Sequence, residues 1–196
     1  MRLFRRPDPF NDPQWIFELK LDGFRALAYL DNAGGRLVSR NGNTFGSFKK
    51  LAADVAEAFR GTEAVLDGEI VCLDERGYPQ FEDLMFRRGE LFFVAFDALW
   101  IDGEDLRNVP VLERKRRLRR VVPRGKRSGH RLRYLDHIEA DGRGLYRLAC
   151  ERNLEGIVGK DRGGLYDTRR PLWVKIKNPA YTQAEGREEL FEELHR

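Results

Sequence analysis

Seven stretches of this chain are candidate β-strands, and the alternation of apolar and polar residues in several of them, such as residues 15–22, constrains the fold more than any other feature. Successive side chains of a β-strand point to opposite faces, so the alternation predicts strands with one buried face. Asp-Gly and Asn-Gly pairs, which are typical of tight turns, bound several of them. The predicted strands span residues 15–20, 24–30, 36–40, 64–73, 91–100, 155–160 and 172–177.

Helical spacing appears between some of these strands, but without a strict strand–helix–strand order. Ser47 is a candidate N-cap, apolar residues follow it at helical intervals as far as Phe59, and Gly61 is the predicted end. Residues 112–121 and 144–152 predict two further helices. Strands joined mostly by hairpins favour an α+β fold, with antiparallel sheets flanked by helices.

Length and composition indicate a globular protein with a substantial core. Of the 196 residues, 41% are hydrophobic and 35% charged, which is outside the range of disordered chains. No apolar run is long enough to span a membrane, and the amino terminus lacks the apolar segment of a signal peptide. Cys72 and Cys150 are isolated, which favours a reducing cytoplasm. We expect one domain over residues 1–183, with residues 184–196 as an acidic helix docked on it.

Positive charge is concentrated in one segment. The whole chain carries +4, whereas the segment from Glu113 to Arg133 has eleven Lys or Arg and a single acidic residue. Such a basic block favours binding to a nucleic-acid backbone, although a solvated helix and loop without a partner would have the same composition. The candidate DNA-binding residues in it are Arg116, Arg117, Arg119 and Arg120.

Ionisable residues interrupt several of the predicted strands. In WIFELKLD, for example, Glu18, Lys20 and Asp22 share one face of the strand. Buried charge is tolerated only when it is paired, hydrated or bound to a ligand. One such residue would be an exposed edge or an ion pair, but several together predict a single polar cavity. The others are Asp67, Glu69, Asp97, Glu155, Lys175 and Lys177.

The predicted cavity has the groups that a nucleotide requires. Lysines neutralise phosphates, carboxylates bind Mg²⁺, and an aromatic ring can stack on a base. A deprotonated lysine can also act as a nucleophile.

Six motifs in a fixed order resemble those of the covalent nucleotidyltransferases, the superfamily of DNA ligases, RNA ligases and mRNA capping enzymes. KLDGFR at 20–25 resembles the KxDGxR element that contains the nucleophilic lysine. The motifs that follow it are SRNG at 39–42, DGEIV at 67–71, FDALWIDG at 96–103, EGIVGK at 155–160 and WVKIK at 173–177. The set is most similar to the ligase module of the bacterial non-homologous end-joining ligase. It implies an ATP-grasp-like nucleotidyltransferase domain and an ATP-dependent DNA ligase activity.

The resemblance implies a role for each matching residue in the adenylation step. Lys20 would attack the α-phosphate of ATP and retain AMP as a lysyl phosphoramidate. The main chain near Glu18 would contact the adenine edge, and Phe96 would stack on the base. Arg25 and Glu69 would contact the ribose.

Further roles concern the phosphates, the metal and the DNA. Lys175 and Lys177 would hold the α-phosphate, while Glu155 and Glu69 would support Mg²⁺ or Mn²⁺. Arg40 would contact a nucleic-acid phosphate. AMP would then pass to a 5′-phosphate, and the 3′-OH would displace it to seal a nick in duplex DNA. This implies DNA repair and recombination, close to the nucleoid.

One departure from the family pattern affects the expected activity. Only 19 residues follow Lys177, too few for the OB-fold domain that follows adenylation domains in these ligases. The sequence therefore predicts no OB-fold, and a separate OB-bearing or end-joining partner is an alternative. An RNA ligase or other nucleotidyltransferase, and a nucleic-acid-binding remnant without catalysis, also stay open.

Overall fold

Two β-sheets form the frame of the protein in the computed structural model, which describes residues 3–59, 62–123, 130–169 and 173–184. The strands are β1 (Phe4–Arg5), β2 (Asn11–Leu19), β3 (Phe24–Asp31), β4 (Gly34–Ser39), β5 (Ala64–Leu73), β6 (Glu90–Ile101), β7 (Glu104–Asp105), β8 (Leu132–Tyr134), β9 (Ile138–Asp141), β10 (Gly156–Asp161) and β11 (Trp173–Lys177). The first sheet has the order β1-β11-β10-β2-β9. The second has the order β4-β3-β5-β6-β7, with β8 also paired to β6.

The helices are short and lie between strands. They are α1 (Lys49–Glu57), α2 (Phe81–Met85), α3 (Val111–Val121) and α4 (Gly142–Glu151), with 3-10 turns at Gly46–Phe48 and Thr182–Ala184. Helix α1 packs against β3 and β4, α3 packs against β6, and α4 packs against β2 and β10. Across the described residues, none of the helices has the length and apolarity needed to cross a membrane.

Each of the seven predicted strands is present, with ends that differ by a few residues. Pairing is antiparallel except that β1 runs parallel to β11 and β8 parallel to β6. The α+β prediction with antiparallel sheets is therefore confirmed. Strands β1, β7, β8 and β9 were not predicted, because segments of two to four residues are too short to show an alternation.

The predicted start of the first helix is wrong. Ser47 lies inside the 3-10 turn, and Phe48 is the N-cap of α1 without any side-chain capping bond. The Ser47 hydroxyl instead accepts a hydrogen bond from Arg87 Nη2 at 2.8 Å. The hydroxyl that the local sequence predicts as a helix cap is thus used in a tertiary hydrogen bond. The predicted helix end at Gly61 and the acidic helix beyond residue 184 lie outside the described residues.

The larger hydrophobic core lies between the second sheet and α1. Alternate residues of β3 and β5, such as Ala28, Leu66 and Ile70, are fully buried there. A smaller core under the first sheet includes Phe17 and Ile157.

The period of two has the predicted consequence in β3, where Ala26, Ala28 and Leu30 are buried and the residues between them are partly exposed. The central strands β5 and β6 are buried on both faces, and Val71, Phe92 and Val94 form a separate apolar cluster.

The turn at residues 20–23 connects β2 of the first sheet to β3 of the second, and therefore lies where the two sheets meet. Gly23 passes so close to β5 that a Cβ atom on it would lie 2.2 Å from the Ile70 carbonyl oxygen. Only glycine permits this approach. The requirement explains the glycine of the KLDGFR motif and places Lys20 between the sheets.

Candidate active site

A cleft lies where the two sheets meet. Its lining includes Glu18 and Lys20 from β2 and the turn after it, Arg25 from β3, Glu69 from β5, Phe96 from β6 and Trp173 from β11. Five of these six residues are ones that the sequence assigns to nucleotide binding. Folding therefore brings together residues separated by as many as 155 positions in the sequence, from Glu18 to Trp173.

Glu155 holds the Lys20 side chain in place. Lys20 Nζ donates a hydrogen bond to Glu155 Oε2 at 2.5 Å, and Lys177 Nζ lies 3.3 Å from the other oxygen, Oε1. The Glu155 side chain is 6% exposed and that of Lys20 20%, so the pair is largely shielded but accessible from the cleft. One carboxylate thus connects two of the three predicted phosphate-site lysines. Lys175 lies two residues before Lys177 on β11 and is partly buried.

The glycine after Glu155 is required by the same geometry. Gly156 has a φ of +137°, and a Cβ atom on it would lie 2.1 Å from the Ile176 carbonyl oxygen. Any other residue would push β10 away from β11. The spacing between Glu155 and Lys177 therefore depends on the second residue of the EGIVGK motif.

Asp67 orients Arg25. Arg25 donates two hydrogen bonds to the Asp67 carboxylate, from Nε at 3.0 Å and from Nη2 at 2.6 Å. Tyr166 donates a third from its hydroxyl at 2.8 Å. Burial acts to lower the pKa of Arg25, but the fully buried Asp67 outweighs this and raises it. Tyr166 was missed because it lies in no motif and between two predicted strands.

Glu69 lies directly opposite Arg25 in the pairing of β3 with β5. Burial raises the pKa of Glu69 to about 8, against the opposing effects of Lys20 and Arg25. The carboxyl is therefore largely protonated at neutral pH, although it would ionise readily beside an added cation. The described residues contain no group of three or more His, Cys, Asp or Glu side chains that could hold a metal ion by themselves.

A β-bulge places Phe96 in the cleft. In β6, Ala95 pairs with Gly68 and Asp97 pairs with Asp67, which leaves Phe96 as the extra residue between them. The Phe96 ring meets that of Trp173 edge to face at a centroid distance of 6.0 Å. A bulge redirects side chains and is common beside functional sites.

Glu18 is ion-paired to two lysines at the floor of the cleft. Lys115 Nζ of α3 lies 2.5 Å from Glu18 Oε1, and Lys160 Nζ of β10 lies 2.7 Å from Oε2. Burial acts to raise the pKa of Glu18, but the two ammonium groups outweigh it and the pKa lies below its ordinary value. Neither lysine was assigned a role from the sequence.

The basic block is less exposed than its composition indicates. Arg114 and Lys115 are fully buried, and Arg114 donates two hydrogen bonds to Asp97, at 2.8 and 2.7 Å. Lys115 falls on the same helical stripe as Val111 and Leu118, which is the signal that could have identified it as buried. These two cations of the block are therefore not accessible to a nucleic-acid backbone.

The four arginines proposed to bind DNA lie on the other faces of α3, and several have acidic neighbours. Arg117 pairs with Glu104 at 2.5 Å, Arg119 lies 3.7 Å from Asp136, and Arg116 lies 3.6 Å from Glu113. Residues 124–129 of the block lie outside the described residues. Arg40 is exposed and directly follows β4. It lines a groove beside the cleft, and Arg25 and Asp67 line the same groove.

Comparisons with known proteins agree with this geometry. Residues 8–177 match the family model of the ATP dependent DNA ligase domain. The chain is 36% identical over 173 residues to the multifunctional non-homologous end joining protein LigD of Pseudomonas aeruginosa, which covers 84% of this chain and 20% of that protein. It is 31% identical over 194 residues to the SPbeta prophage-derived DNA ligase-like protein LigB of Bacillus subtilis, covering 93% of this chain and 68% of that protein.

Solved structures show the same fold. The mycobacterial DNA ligase D complexed with ATP and MES aligns with a TM-score of 0.77 and 29% identity, over 90% of this chain and 59% of that chain. The chain spans about a fifth of the length of the LigD proteins of Pseudomonas aeruginosa and Mycolicibacterium smegmatis. Since the family model covers most of the chain and the nucleotidyltransferase fold recurs in a DNA ligase, this chain belongs to the family of ATP-dependent DNA ligase domains.

Proposed function

We propose that this chain is adenylated on Lys20 by ATP and transfers the AMP to the 5′-phosphate of nicked duplex DNA. The observation that carries the proposal is the position of Lys20 in the cleft, with its Nζ held by Glu155 and with Lys177 at the same carboxylate. A nucleophile requires a fixed position beside groups that neutralise the phosphate, and this arrangement provides both.

In the first step, Lys20 Nζ gives one proton to the Glu155 carboxylate that it contacts and attacks the α-phosphorus of ATP as the neutral amine. A second proton passes from the nitrogen to solvent as the phosphoramidate forms. The N–P bond forms while the bond from phosphorus to the bridging oxygen breaks, and pyrophosphate leaves with the bonding electrons. Lys177 and Lys175 neutralise negative charge on the α-phosphate. Phe96 stacks on the base, and Arg25, oriented by Asp67, contacts the ribose.

Glu69 and Glu155 fit the requirements of Mg²⁺ or Mn²⁺. Mg²⁺ in nucleotide sites usually binds one or two carboxylates together with substrate phosphates and water. A carboxyl whose pKa burial has raised to about 8 gains most from a nearby cation, and Glu69 is such a group. When bound, the metal supplies charge neutralisation on the phosphates.

In the later steps, AMP passes from Lys20 to a 5′-phosphate and the 3′-OH of the adjacent strand displaces it. Nicked or broken duplex DNA is the proposed substrate, with a separate OB-bearing or end-joining protein as the partner for closure over the duplex. Arg40 and the exposed arginines of α3 are the proposed backbone contacts. The proposed location is the cytoplasm, at the nucleoid.

The test is labelling of the chain by α-labelled ATP with Mg²⁺, followed by denaturing electrophoresis. The parent chain becomes labelled, and Lys20→Ala abolishes the label because no amine remains at that position. Lys20→Arg also fails, since a guanidinium stays protonated and cannot attack. The matched control is Lys50→Ala, which removes an exposed lysine paired with Asp54 and keeps the label. Label on the Lys20→Ala variant would place the nucleophile elsewhere.

Sealing of a nicked duplex by the pre-adenylated chain tests the later steps. Efficient sealing of a DNA nick with little sealing of an RNA nick supports the DNA ligase assignment. The reverse preference identifies an RNA ligase. Labelling without sealing of either substrate assigns closure over the nick to a partner protein. DNA binding without labelling would reduce the function to nucleic-acid binding.

A further inference from the structure

A buried cluster of three charged residues lies at the floor of the cleft, which Glu18 and Lys160 line. Glu18, Lys115 and Lys160 are 2%, 0% and 1% exposed. Glu18 comes from β2, two residues before Lys20, while Lys115 reaches the cluster from α3 and Lys160 from β10. Three elements that are distant in sequence thus meet at one carboxylate.

The two ammonium groups connect Glu18 to the backbone of Phe96. Lys160 Nζ lies 2.7 Å from Glu18 and donates to the Phe96 carbonyl oxygen at 3.3 Å. Lys115 Nζ lies 2.5 Å from Glu18 and donates to the same carbonyl at 3.4 Å and to the Leu135 carbonyl at 2.8 Å. The strand that precedes the nucleophile is therefore cross-linked twice to the residue whose ring faces the cleft.

Lys160 also contacts the aromatic walls. Its Nζ lies 4.0 Å from the Trp173 ring centroid and 4.7 Å from that of Phe96. Ring faces attract a desolvated cation. The same lysine thus contacts both aromatic residues of the cleft and the carboxylate behind them.

The cluster is costly to fold. Two cations with one carboxylate leave an excess positive charge in a fully buried position, and each buried ion has lost its hydration. Apolar residues of similar volume would be at least as stable there. Stability is therefore a poor explanation for the cluster. Its two lysines connect Glu18 to Phe96, and these are the two residues expected to contact the nucleotide base.

We propose that Lys115 and Lys160 are positioning residues for the nucleotide base, which fix the slot between the Glu18 strand and Phe96 and so set both affinity and base selectivity. This inference rests on the proposed function of the cleft. It assigns Lys115, a member of the basic block, to nucleotide recognition and not to DNA. A slot that is held rigid binds one base geometry well, whereas a slot that can relax binds several bases weakly.

The experiment compares binding of ATP and GTP by titration calorimetry, with α-labelled nucleotide in parallel. We expect Lys115→Met and Lys160→Met each to weaken ATP binding by about tenfold or more, as for loss of a buried charged contact. The preference for ATP over GTP should narrow by a similar factor. The maximal rate of Lys20 labelling at saturating ATP should change by less than about threefold, because neither lysine contacts the phosphates.

The control variants separate positioning from stability. Arg114→Met removes a neighbouring cation of α3 that is equally buried, but Arg114 contacts Asp97, the Val109 carbonyl and the Gly164 carbonyl and not the Glu18 cluster. Lys49→Met removes an exposed cation of α1 that does not line the cleft. Folded protein of either control should keep the parental ATP affinity and ATP-to-GTP preference.

A double-mutant cycle tests the route through Phe96. Once Phe96→Leu has removed the stacking ring, Lys115→Met should cost much less ATP affinity than it costs in the parent. Equal costs in the two backgrounds would contradict a role through Phe96.

The outcomes distinguish this inference from the proposed function. The inference would be overturned if both lysine variants kept the parental ATP affinity, or if they lost affinity for ATP and GTP equally. Labelling of the parent chain would still support the proposed function in either case. Unfolding of both lysine variants in a thermal scan would assign the cluster to stability and overturn it too. Selective ATP binding by the parent without labelling would overturn the function alone, and no binding by the parent would overturn both.

Discussion

Single carboxylates position the cationic groups of the cleft. Asp67 orients Arg25 through two hydrogen bonds, and Glu155 holds Lys20 while remaining close to Lys177. Each carboxylate is nearly or fully buried, so its interaction with the cation is stronger than it would be in water. The functional cations are consequently held in place by acids that themselves have few alternative conformations.

Glu69 should make the stability of the protein pH-dependent. Burial raises its pKa in the folded protein to about 8, above the ordinary value of 4.5. The folded state therefore binds a proton that the unfolded state releases, so this contribution to stability is complete below pH 4.5 and is lost as the pH rises towards 8. We expect Glu69→Gln to reduce the fall in unfolding free energy between pH 5 and pH 8.

Urea denaturation at a series of pH values measures this effect. The exposed Glu75→Gln is the control and should follow the parental pH dependence. Parallel curves for the parent and Glu69→Gln would show that Glu69 titrates alike in the folded and unfolded states.

At the scale of elements, the segment after β11 is attached to the turn at residues 20–23. The Tyr181 hydroxyl donates a hydrogen bond to the buried Asp22 of the KLDGFR motif at 2.8 Å. Asn178 donates from its backbone to the Glu155 carbonyl at 3.0 Å and from its side chain to the Leu154 carbonyl at 3.1 Å. Hydrogen bonds from this segment thus hold Asp22, in the same turn as Lys20, and the backbone of Leu154 and Glu155.

Tyr181→Phe tests that attachment. Removing the hydroxyl leaves the buried Asp22 with one donor fewer, which should cost about 1–3 kcal/mol of unfolding free energy. Because Asp22 belongs to the turn that contains Lys20, the rate of Lys20 adenylation should fall as well. Tyr146→Phe removes an exposed hydroxyl that bonds the Lys177 carbonyl, and should cost less.

Chemical denaturation and single-turnover labelling give the two readouts. A Tyr181→Phe variant as stable and as reactive as Tyr146→Phe would mean that the segment does not support the turn.

At the scale of the whole molecule, the junction of the two sheets contains the cleft, and the groove containing Arg40 lies beside it. The exposed arginines of α3 are the other proposed contact to DNA. Acidic neighbours of Arg116, Arg117 and Arg119 reduce the charge that this surface can offer to phosphates. We therefore expect the four arginines of α3 to neutralise fewer than four phosphates of the DNA.

Reversal of Arg116, Arg117, Arg119 and Arg120 to Glu tests this surface. Each phosphate neutralised contributes about 0.9 to the slope of log affinity against log salt, so the slope should become shallower by less than about 4. Lys20 adenylation should be unchanged, since these residues lie outside the cleft.

Fluorescence anisotropy with a nicked duplex, over a salt series, measures the slope. A Lys49→Glu, Lys50→Glu variant of α1 controls for a general change in charge. Equal slopes for the parent and the α3 variant would exclude these arginines as DNA contacts.

The sequence by itself determined the strands and most of the nucleotide site. Period-two alternation and turn residues act over a few positions, so they indicate strands and hairpins wherever the chain folds. The resemblance of KLDGFR and the motifs after it indicated Lys20, Arg25, Glu69 and Phe96, and the structure brings these four together in one cleft. Their individual roles there stay predictions until they are tested.

Only the tertiary structure decided which charges are buried. Arg114 and Lys115 lie in a run of cations whose composition is that of a solvated surface, yet both are inaccessible. Their counter-charges come from elsewhere in the chain, Asp97 from β6 and Glu18 from β2. A cation can be buried only where a distant segment supplies the opposite charge and the hydrogen bonds. The helical stripe of Val111 and Leu118 indicates the face on which Lys115 lies, but it does not show that Glu18 of β2 is its partner.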